Sequence, residues 1–206
     1  MVLARLPRLY GILDTSYFTD RAAFISAAVE LVAAGVTVLQ YRDKSEYSRQ
    51  MLDHARELRR LCPTSVKWIM NDRADLCLAA GFDGVHVGQD DLSPNAVRRV
   101  IGPDLWMGIS THNPEQLREA ESTSATYLAI GPVFSTTSKA SPDPVVGLEG
   151  VRRARALTTK PLVAIGGITR ANCLSVIEAG ADSVAVISGL VHSPRKSAEE
   201  FLRILR

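Results

Sequence analysis

Carboxylates stand close behind two apolar, strand-like segments of the chain. The segment 66–71 runs directly into Asp72, and the segment 84–88 is followed within three residues by Asp91. If these segments are neighbouring parallel strands, they lie about 5 Å apart and the two acids converge. Two carboxylates that share a site suit a hard cation such as Mg2+, which also takes phosphate oxygens from a substrate. The alternative is that an Asp here caps the next helix, the role we expect for Asp90.

A second polar group alternates at the end of the segment 36–42. Gln40, Arg42 and Lys44 are spaced two residues apart, so in an extended chain they project to one side. One amide and two cations that point into a pocket form a receptor for a polyanion, because Arg offers phosphate a planar fork and Lys a point charge. The alternative is a set of solvated loop charges, which the position at a strand end disfavours.

Later segments also end in groups that suit phosphate. Ser110 and His112 lie at the end of the segment 105–110 and just after it. The remaining hydroxyl, cationic and glycine positions are Thr136, Thr137, Ser138, Lys139, Gly166, Gly167, Ser188 and Gly189. Glycine allows a phosphate to approach backbone N–H groups closely. Together with the acid pair, these residues indicate two anion sites, one of them assisted by a metal.

The order of segments supplies a scaffold that could gather these residues. Short β-rich runs alternate with helical patterns, and the helices after the third and fourth runs must be short; the runs are 8–13, 36–42, 66–71, 84–88, 105–110, 126–131, 161–166 and 183–188. Such alternation requires parallel pairing with right-handed crossovers. Eight units in 206 residues predict a single-domain (β/α)8 barrel over residues 1–206, with its active site at the C-terminal ends of the strands.

Composition narrows the class of protein. With 46% hydrophobic and 22% charged residues and a net charge of +2, the chain suits one soluble domain without a bias toward nucleic acid or acidic membranes. Cys62, Cys77 and Cys173 lack metal-site spacing and predict reduced thiols, hence a cytoplasmic location. We expect neither a signal peptide nor a membrane-spanning segment.

The motifs, taken in order over nearly the whole chain, resemble the thiamine phosphate synthase family. They are QYRDK, NDRADL, DGVHVGQDD, GISTH, GPVFSTTSK, AIGGIT and AVISG. The resemblance implies a transferase of thiamine biosynthesis with the (β/α)8 fold. Such an enzyme joins 4-amino-2-methyl-5-pyrimidinylmethyl diphosphate to a thiazole phosphate, or to its carboxylated form, and releases pyrophosphate.

The resemblance also implies roles for individual residues. The pyrimidine diphosphate would be held by Gln40, Arg42, Lys44, Asn71, Ser110 and Lys139. Mg2+ would be held by Asp72 and Asp91, and the thiazole phosphate by Thr136, Thr137, Ser138, Gly167, Ile187 and Ser188. The candidate catalytic residues are Arg42, Lys44, Ser110 and Lys139. Two positions depart from the family pattern, since Ser138 stands where Thr is frequent and Tyr41 where Leu is usual.

The chemistry of this reaction agrees with the residue types. Diphosphate leaves readily once Mg2+ and cations neutralise its charge, and the thiazole nitrogen attacks through its own lone pair. Two other functions stay open. His112 could serve as the acid–base group of a thiazole tautomerase, as in related enzymes, or the chain could be a non-catalytic, phosphate-binding regulator. The acid pair and the cations favour the synthase.

The other histidines and the partners complete the expectations. We expect His86 to point into the barrel as a structural residue, and His54 and His192 to lie on the surface. The expected partners are the two small-molecule substrates, not nucleic acid or a membrane. The apolar helix faces leave formation of a homodimer open.

Overall fold

Eight parallel strands close into a barrel, in chain order, within the part of the chain that the structure describes. The computed structural model describes residues 6–45, 47–136 and 143–206, and β1 pairs with both β2 and β8. The strands are β1 Leu9–Asp14, β2 Val38–Arg42, β3 Lys67–Asn71, β4 Gly84–Val87, β5 Trp106–Thr111, β6 Tyr127–Ile130, β7 Leu162–Ile165 and β8 Ser183–Val186. Each strand overlaps its predicted segment, and the predicted (β/α)8 barrel is confirmed.

An α-helix follows each strand. The helices are α1 Arg21–Ala33, α2 Ser48–Leu61, α3 Ala74–Ala80, α4 Pro94–Ile101, α5 Pro114–Glu121, α6 Gly147–Leu157, α7 Cys173–Glu178 and α8 Pro194–Ile204. The helices after β3 and β4 have 7 and 8 residues and are short, as predicted. Short 3-10 helices follow β1 and β8, at Thr15–Tyr17 and Ser188–Leu190. None of the helices in the described ranges is long and apolar enough to cross a membrane.

Side-chain caps fix where several helices begin. The side chains of Asp20, Ser93 and Asn113 accept hydrogen bonds from the backbone N–H three residues later, at the starts of α1, α4 and α5. The expectation that Asp90 caps a helix is wrong. Proline at the first position of α4 has a φ angle that suits a helix start, so the preceding Ser93 becomes the cap and Asp90 stays in the turn before it.

The hydrophobic core has two layers because side chains alternate between the two faces of each strand. Outward-facing residues such as Leu39 and Trp68 pack against the helices. A smaller cluster fills the barrel interior, formed by Leu6, Tyr10, Ile12, Val38, Ile69, Tyr127, Ala129, Val163 and Ala185. This inner cluster closes the lower part of the barrel and leaves its C-terminal mouth open.

His54 lies on the inner face of α2, so the expectation of a surface position is wrong. It is only 5% exposed, and its Nδ1 lies 3.3 Å from Tyr41 Oη. The reason is the helical spacing, since Met51, Ala55 and Leu58 form the same buried face and turn His54 toward β2. His192 is exposed, as expected.

Candidate active site

A cavity of about 480 Å³ opens at the C-terminal mouth of the barrel. This volume is typical of small-molecule sites, and described residues of all eight strands contribute to the lining. Eight of the fourteen residues to which the family resemblance assigns a role line it, namely Gln40, Arg42, Asn71, Ser110, Thr136, Gly167, Ile187 and Ser188. Lys44, Asp72 and Asp91 form a separate cluster beside the ends of β2 to β4. Thr137, Ser138 and Lys139 lie outside the described residues.

Arg42 is held at the mouth by an acid that the sequence analysis missed. Arg42 ends β2 directly opposite Asp14, the last residue of β1, and its Nη1 donates to Asp14 Oδ2. Asp14 is 2% exposed and its Oδ1 also accepts from Ser16 N and Oγ at 3.0 and 2.7 Å. The guanidinium group is therefore fixed toward the cavity. The available signal was an acid at the end of an apolar run, the same signal that identified Asp72.

Asp72 adopts an uncommon backbone conformation immediately after β3. Its φ angle is 60°, in the left-handed region that Asp and Asn tolerate better than most residues. Its N–H donates to the carbonyl of His86 at 2.8 Å. Its carboxylate accepts a hydrogen bond from Lys44 Nζ and lies near the carboxylate of Asp91.

Asp72 and Asp91 form the acid pair. Burial raises the pKa of Asp72 above its usual range; Lys44 opposes this shift and Asp91 adds to it. Asp91 is oriented by Gly88 N, which donates to its Oδ2 at 2.8 Å. A cation between the two carboxylates would relieve their repulsion.

The donor set fits Mg2+, which prefers hard oxygen ligands and is often held by one or two carboxylates plus substrate phosphate. The described residues contain no group of three or more His, Cys, Asp or Glu arranged to hold a metal. Further ligands would then come from a substrate and from water.

Asn71 presents a buried donor at the mouth of the barrel. Its Nδ2 is buried and has no hydrogen-bond acceptor among the described residues, and its side chain lines the cavity. A buried polar group left unpaired costs about 1–3 kcal/mol. The position indicates that a ligand acceptor completes this bond.

The opposite wall of the cavity is formed by the segments after β6 and β7, which lie in close contact. Val133 N donates to Ile165 O at 2.9 Å, and Phe134 N donates to Gly166 O at 3.0 Å. Gly167 has a φ angle of 63°, and a Cβ atom there would lie 2.5 Å from Ser135 O. Glycine is therefore required for this approach of the two segments.

His112 lines the same cavity but both of its ring nitrogens have protein neighbours. Nδ1 lies 2.6 Å from Gly131 O, and Nε2 lies 3.4 Å from Asp143 Oδ2. These contacts hold the ring against the wall that leads to the β6 segment.

A chain of hydrogen bonds crosses the floor of the cavity, and we call it the floor chain. Gln40 Nε2 donates to Tyr10 Oη at 2.9 Å, and Tyr10 Oη lies 2.9 Å from Tyr127 Oη. Tyr127 Oη lies 3.0 Å from His86 Nδ1. His86 Nε2 lies 2.8 Å from Ser110 Oγ. His86 thus points into the barrel, as expected. The sequence analysis missed Tyr10 and Tyr127, because inward tyrosines follow the same alternation as apolar core residues.

Comparison with known proteins agrees with the geometry of the site. The family described as thiamine monophosphate synthase matches residues 9–190. A thiamine-phosphate synthase of Koribacter versatilis is 60% identical over 204 residues, which are 98% of this chain and 97% of the relative. A thiamine-phosphate synthase of Chloroflexus aurantiacus is 44% identical over 187 residues, covering 89% of this chain and 85% of the relative.

A solved structure agrees with these relatives. The thiamine phosphate pyrophosphorylase from Pyrococcus furiosus superimposes with a TM-score of 0.85 at 31% identity, over 96% of this chain and 95% of that one. The family match covers most of the chain, and the relatives align over nearly their whole length. The chain therefore belongs to the thiamine monophosphate synthase family.

Proposed function

We propose that the protein condenses 4-amino-2-methyl-5-pyrimidinylmethyl diphosphate with thiazole phosphate, giving thiamine monophosphate and pyrophosphate. Family membership makes it a transferase of thiamine biosynthesis; the residue roles, the metal and the individual substrates are the proposal. The observation that carries the proposal is that Lys44 contacts the acid pair beside the cavity. Arg42 and Asn71 line the cavity itself. Acids and cations combined in this way suit a metal-bound diphosphate.

The proposed diphosphate site is the β2–β3 side of the mouth. Arg42, fixed by Asp14, and Lys44 supply positive charge, and Asn71 supplies the unpartnered donor. Gln40 and Ser110 would hold the pyrimidine ring at the floor. Lys139, the third cation expected from the sequence, lies outside the described residues. Asp72 and Asp91 would hold Mg2+, which when bound neutralises part of the diphosphate charge.

The proposed thiazole phosphate site is the β6–β8 side of the mouth. Its hydroxyl and backbone groups come from Thr136, Thr137, Ser138, Gly167, Ile187 and Ser188. Segments after the seventh and eighth strands of such barrels frequently bind phosphate. Both substrates would therefore enter one cavity from opposite walls, with their reacting atoms between them.

The reaction requires one bond to break and one to form. The bond between the pyrimidinylmethyl carbon and the diphosphate oxygen breaks, and its electron pair leaves with pyrophosphate. The thiazole nitrogen then forms the new C–N bond through its lone pair. Arg42, Lys44 and Lys139 contribute by stabilising the charge that develops on the leaving group, and no general base is needed.

The test is the release of pyrophosphate with each component omitted in turn. We expect release only when both substrates and Mg2+ are present. Asp72→Asn and Asp91→Asn should each lower turnover on the order of a hundredfold while the fold is retained; Asn also tolerates the left-handed backbone of residue 72. The exposed neighbour Asp90 provides a matched control, since Asp90→Asn should leave turnover unchanged. Full activity in either acid-pair variant would remove the metal assignment.

The same assay separates the two other functions. Isomerisation of carboxylated thiazole phosphate without a pyrimidine substrate, lost in His112→Asn, would indicate a tautomerase. Binding of either phosphate without any turnover would indicate a regulator.

We infer that the partners are these two small molecules. A cytoplasmic location stays a prediction that the three buried free cysteines favour. The homodimer also stays a prediction, which light scattering on the purified protein would check.

A further inference from the structure

The floor chain joins the two groups that are proposed to hold the pyrimidine ring, and the inference below rests on that proposed function. Gln40 comes from β2 and Ser110 from β5, on opposite sides of the barrel. They are linked through Tyr10, Tyr127 and His86 by four hydrogen bonds of 2.8 to 3.0 Å. A change in hydrogen bonding at one end of the floor chain therefore affects the hydrogen bonds at its other end.

We assign the protons along the chain from the orientation of the Gln40 amide. Its Nε2 donates to Tyr10 Oη, so the single hydroxyl proton of Tyr10 is available for Tyr127 Oη. The proton of Tyr127 then goes to His86 Nδ1, and the imidazole carries its own proton on Nε2.

The two ends of the chain consequently face the cavity with opposite character. His86 Nε2–H donates to Ser110 Oγ, so the hydroxyl proton of Ser110 is left for a ligand. Gln40 Oε1 is left as an acceptor, since Nε2 is the amide atom that bonds Tyr10.

The opposite arrangement would require every member to change. If the Gln40 amide turned over, Tyr10 would donate to it, Tyr127 to Tyr10, and His86 Nδ1–H to Tyr127. Ser110 would then donate to His86 and present only lone pairs to the cavity. Each group passes on one proton, so reversal of a single bond would leave one buried proton without an acceptor, which disfavours a partial reversal.

The residues around the floor chain bury it and leave room for its hydrogen bonds. Tyr10 and Tyr127 are 1% and 0% exposed and lie within the apolar inner cluster of the barrel, where burial raises the pKa of both phenols and keeps them neutral. A Cβ atom on Gly108 would lie 2.2 Å from Tyr127 Cζ and 2.4 Å from His86 Nδ1. Only glycine at 108 leaves room for the bond between these two rings.

We propose that Tyr10, Tyr127 and His86 are positioning residues that fix the hydrogen-bonding polarity of the floor, and that this polarity selects an aminopyrimidine over its oxo counterpart. An aminopyrimidine can direct its amino N–H to the Gln40 acceptor and a ring nitrogen on its far side to the Ser110 donor. The oxo form places a carbonyl oxygen against the Gln40 acceptor and is mismatched there. A site built from buried polar groups discriminates strongly against such a mismatch.

The first test compares the affinities of the amino substrate and its 4-oxo analogue. Dissociation constants of the two pyrimidinylmethyl diphosphates are measured with Mg2+ and without thiazole phosphate, so that no condensation intervenes. We expect wild-type protein to prefer the amino form by at least a hundredfold, and Tyr127→Phe to lower this ratio at least tenfold. Tyr41→Phe is the matched control, because it removes another buried tyrosine hydroxyl that lies outside the cavity; its ratio should equal that of wild type.

A variant that folds poorly does not end the test. The double variant Tyr10→Phe/Tyr127→Phe removes both hydroxyls, so neither tyrosine hydroxyl is left without the other. It should show the same loss of discrimination as Tyr127→Phe. An unchanged ratio in the folded single or double variant, or a wild-type protein without preference, would overturn the proposal.

The second test needs no substrate and therefore separates this inference from the proposed function. In 15N NMR spectra of wild-type protein, His86 should show a protonated Nε2 and an unprotonated Nδ1, and Tyr127→Phe should lose this fixed tautomer. A wild-type His86 with the proton on Nδ1 would overturn the proposed polarity. If the tautomer is as expected but no pyrophosphate is released from the two substrates, the floor polarity stands and the proposed condensation fails.

Discussion

At the scale of single residues, a buried acid holds Arg42, one of the cations of the proposed diphosphate site. Its partner Asp14 is almost completely buried, and the Arg42 side chain is only 19% exposed. Removal of one member of a buried ion pair leaves the other charge uncompensated, at a cost of about 3 kcal/mol or more. The pair therefore serves stability and the orientation of Arg42 at once.

Asp14→Asn should show both effects. We expect the free energy of unfolding in urea to fall by about 3 kcal/mol, and the affinity for the pyrimidine diphosphate to fall as the guanidinium loses its fixed direction. The control is Asp75→Asn, which breaks the pair of Arg73 with the 62% exposed side chain of Asp75. Exposed pairs contribute about 1 kcal/mol or less. Equal losses in the two variants would mean that Asp14 does not hold Arg42 as described.

At the scale of elements, α2 is anchored on β2 behind the segment that carries Lys44. Tyr41 Oη donates to Asp43 Oδ2 at 3.0 Å, and Asp43 Oδ1 accepts from Ser45 N at 2.8 Å. His54 packs against the same tyrosine from α2. The tyrosine at this position, where the family resemblance indicates leucine, thus ties helix and segment together.

This anchor should make stability depend on pH. Burial, followed by the neighbouring Arg21, lowers the pKa of His54 from its ordinary 6.5, although Asp43, Glu57 and Asp53 act in the opposite direction. The unfolded chain takes up a proton near the ordinary value while the folded ring stays neutral. Stability is therefore complete above about pH 6.5 and decreases as pH falls toward the lowered pKa.

The measurement is the Tm between pH 7.5 and 5 for wild-type protein and His54→Gln. We expect the decrease at low pH to be smaller in His54→Gln, and the exposed control His192→Gln to retain the full decrease. Identical pH profiles for wild type and His54→Gln would contradict a neutral buried ring.

The junction of the segments after β6 and β7 is a second feature at this scale. Gly167→Ala adds a Cβ atom 2.5 Å from Ser135 O, whereas Gly81 has a similar φ angle of 67° with nothing within 4 Å. Gly81→Ala should cost about 1–2 kcal/mol, the price of the left-handed conformation alone. Gly167→Ala should cost clearly more in urea unfolding and weaken thiazole phosphate binding. An equal loss in the free energy of unfolding for the two variants would show that the segments after β6 and β7 can move apart without destabilising the fold.

The sequence predicted the strand ends well, because eight apolar runs and the polar residues after them carry a local signal. Asp72 and Asp91 were found in this way, and so were Gln40 and Arg42. The floor chain carries no such signal, since Tyr10 and Tyr127 are 117 residues apart and read as core. His54 was misplaced because the many charges of α2 obscured its narrow apolar face. The roles of all the selected site residues stay predictions, and Thr137, Ser138 and Lys139 also lie outside the described residues.

At the scale of the whole molecule, the mouth of the barrel has two chemically different sides, which we propose serve the two substrates. The β2–β5 side carries the acid pair, the cations and the floor groups, and the β6–β8 side carries glycines and hydroxyls. The net charge is only +2, so the local arrangement rather than the overall field must attract the anions. We propose that one cavity brings both substrates together and couples their consumption.

The most direct measurement is a single turnover with enzyme in excess over labelled pyrimidine diphosphate. Product and pyrophosphate are quantified after quenching, with and without saturating thiazole phosphate. The expected result is one thiamine monophosphate and one pyrophosphate for each pyrimidine diphosphate consumed, with the thiamine monophosphate formed only when thiazole phosphate is present. Pyrophosphate release without a matching amount of thiamine monophosphate, when both substrates are present, would contradict coupling in one cavity.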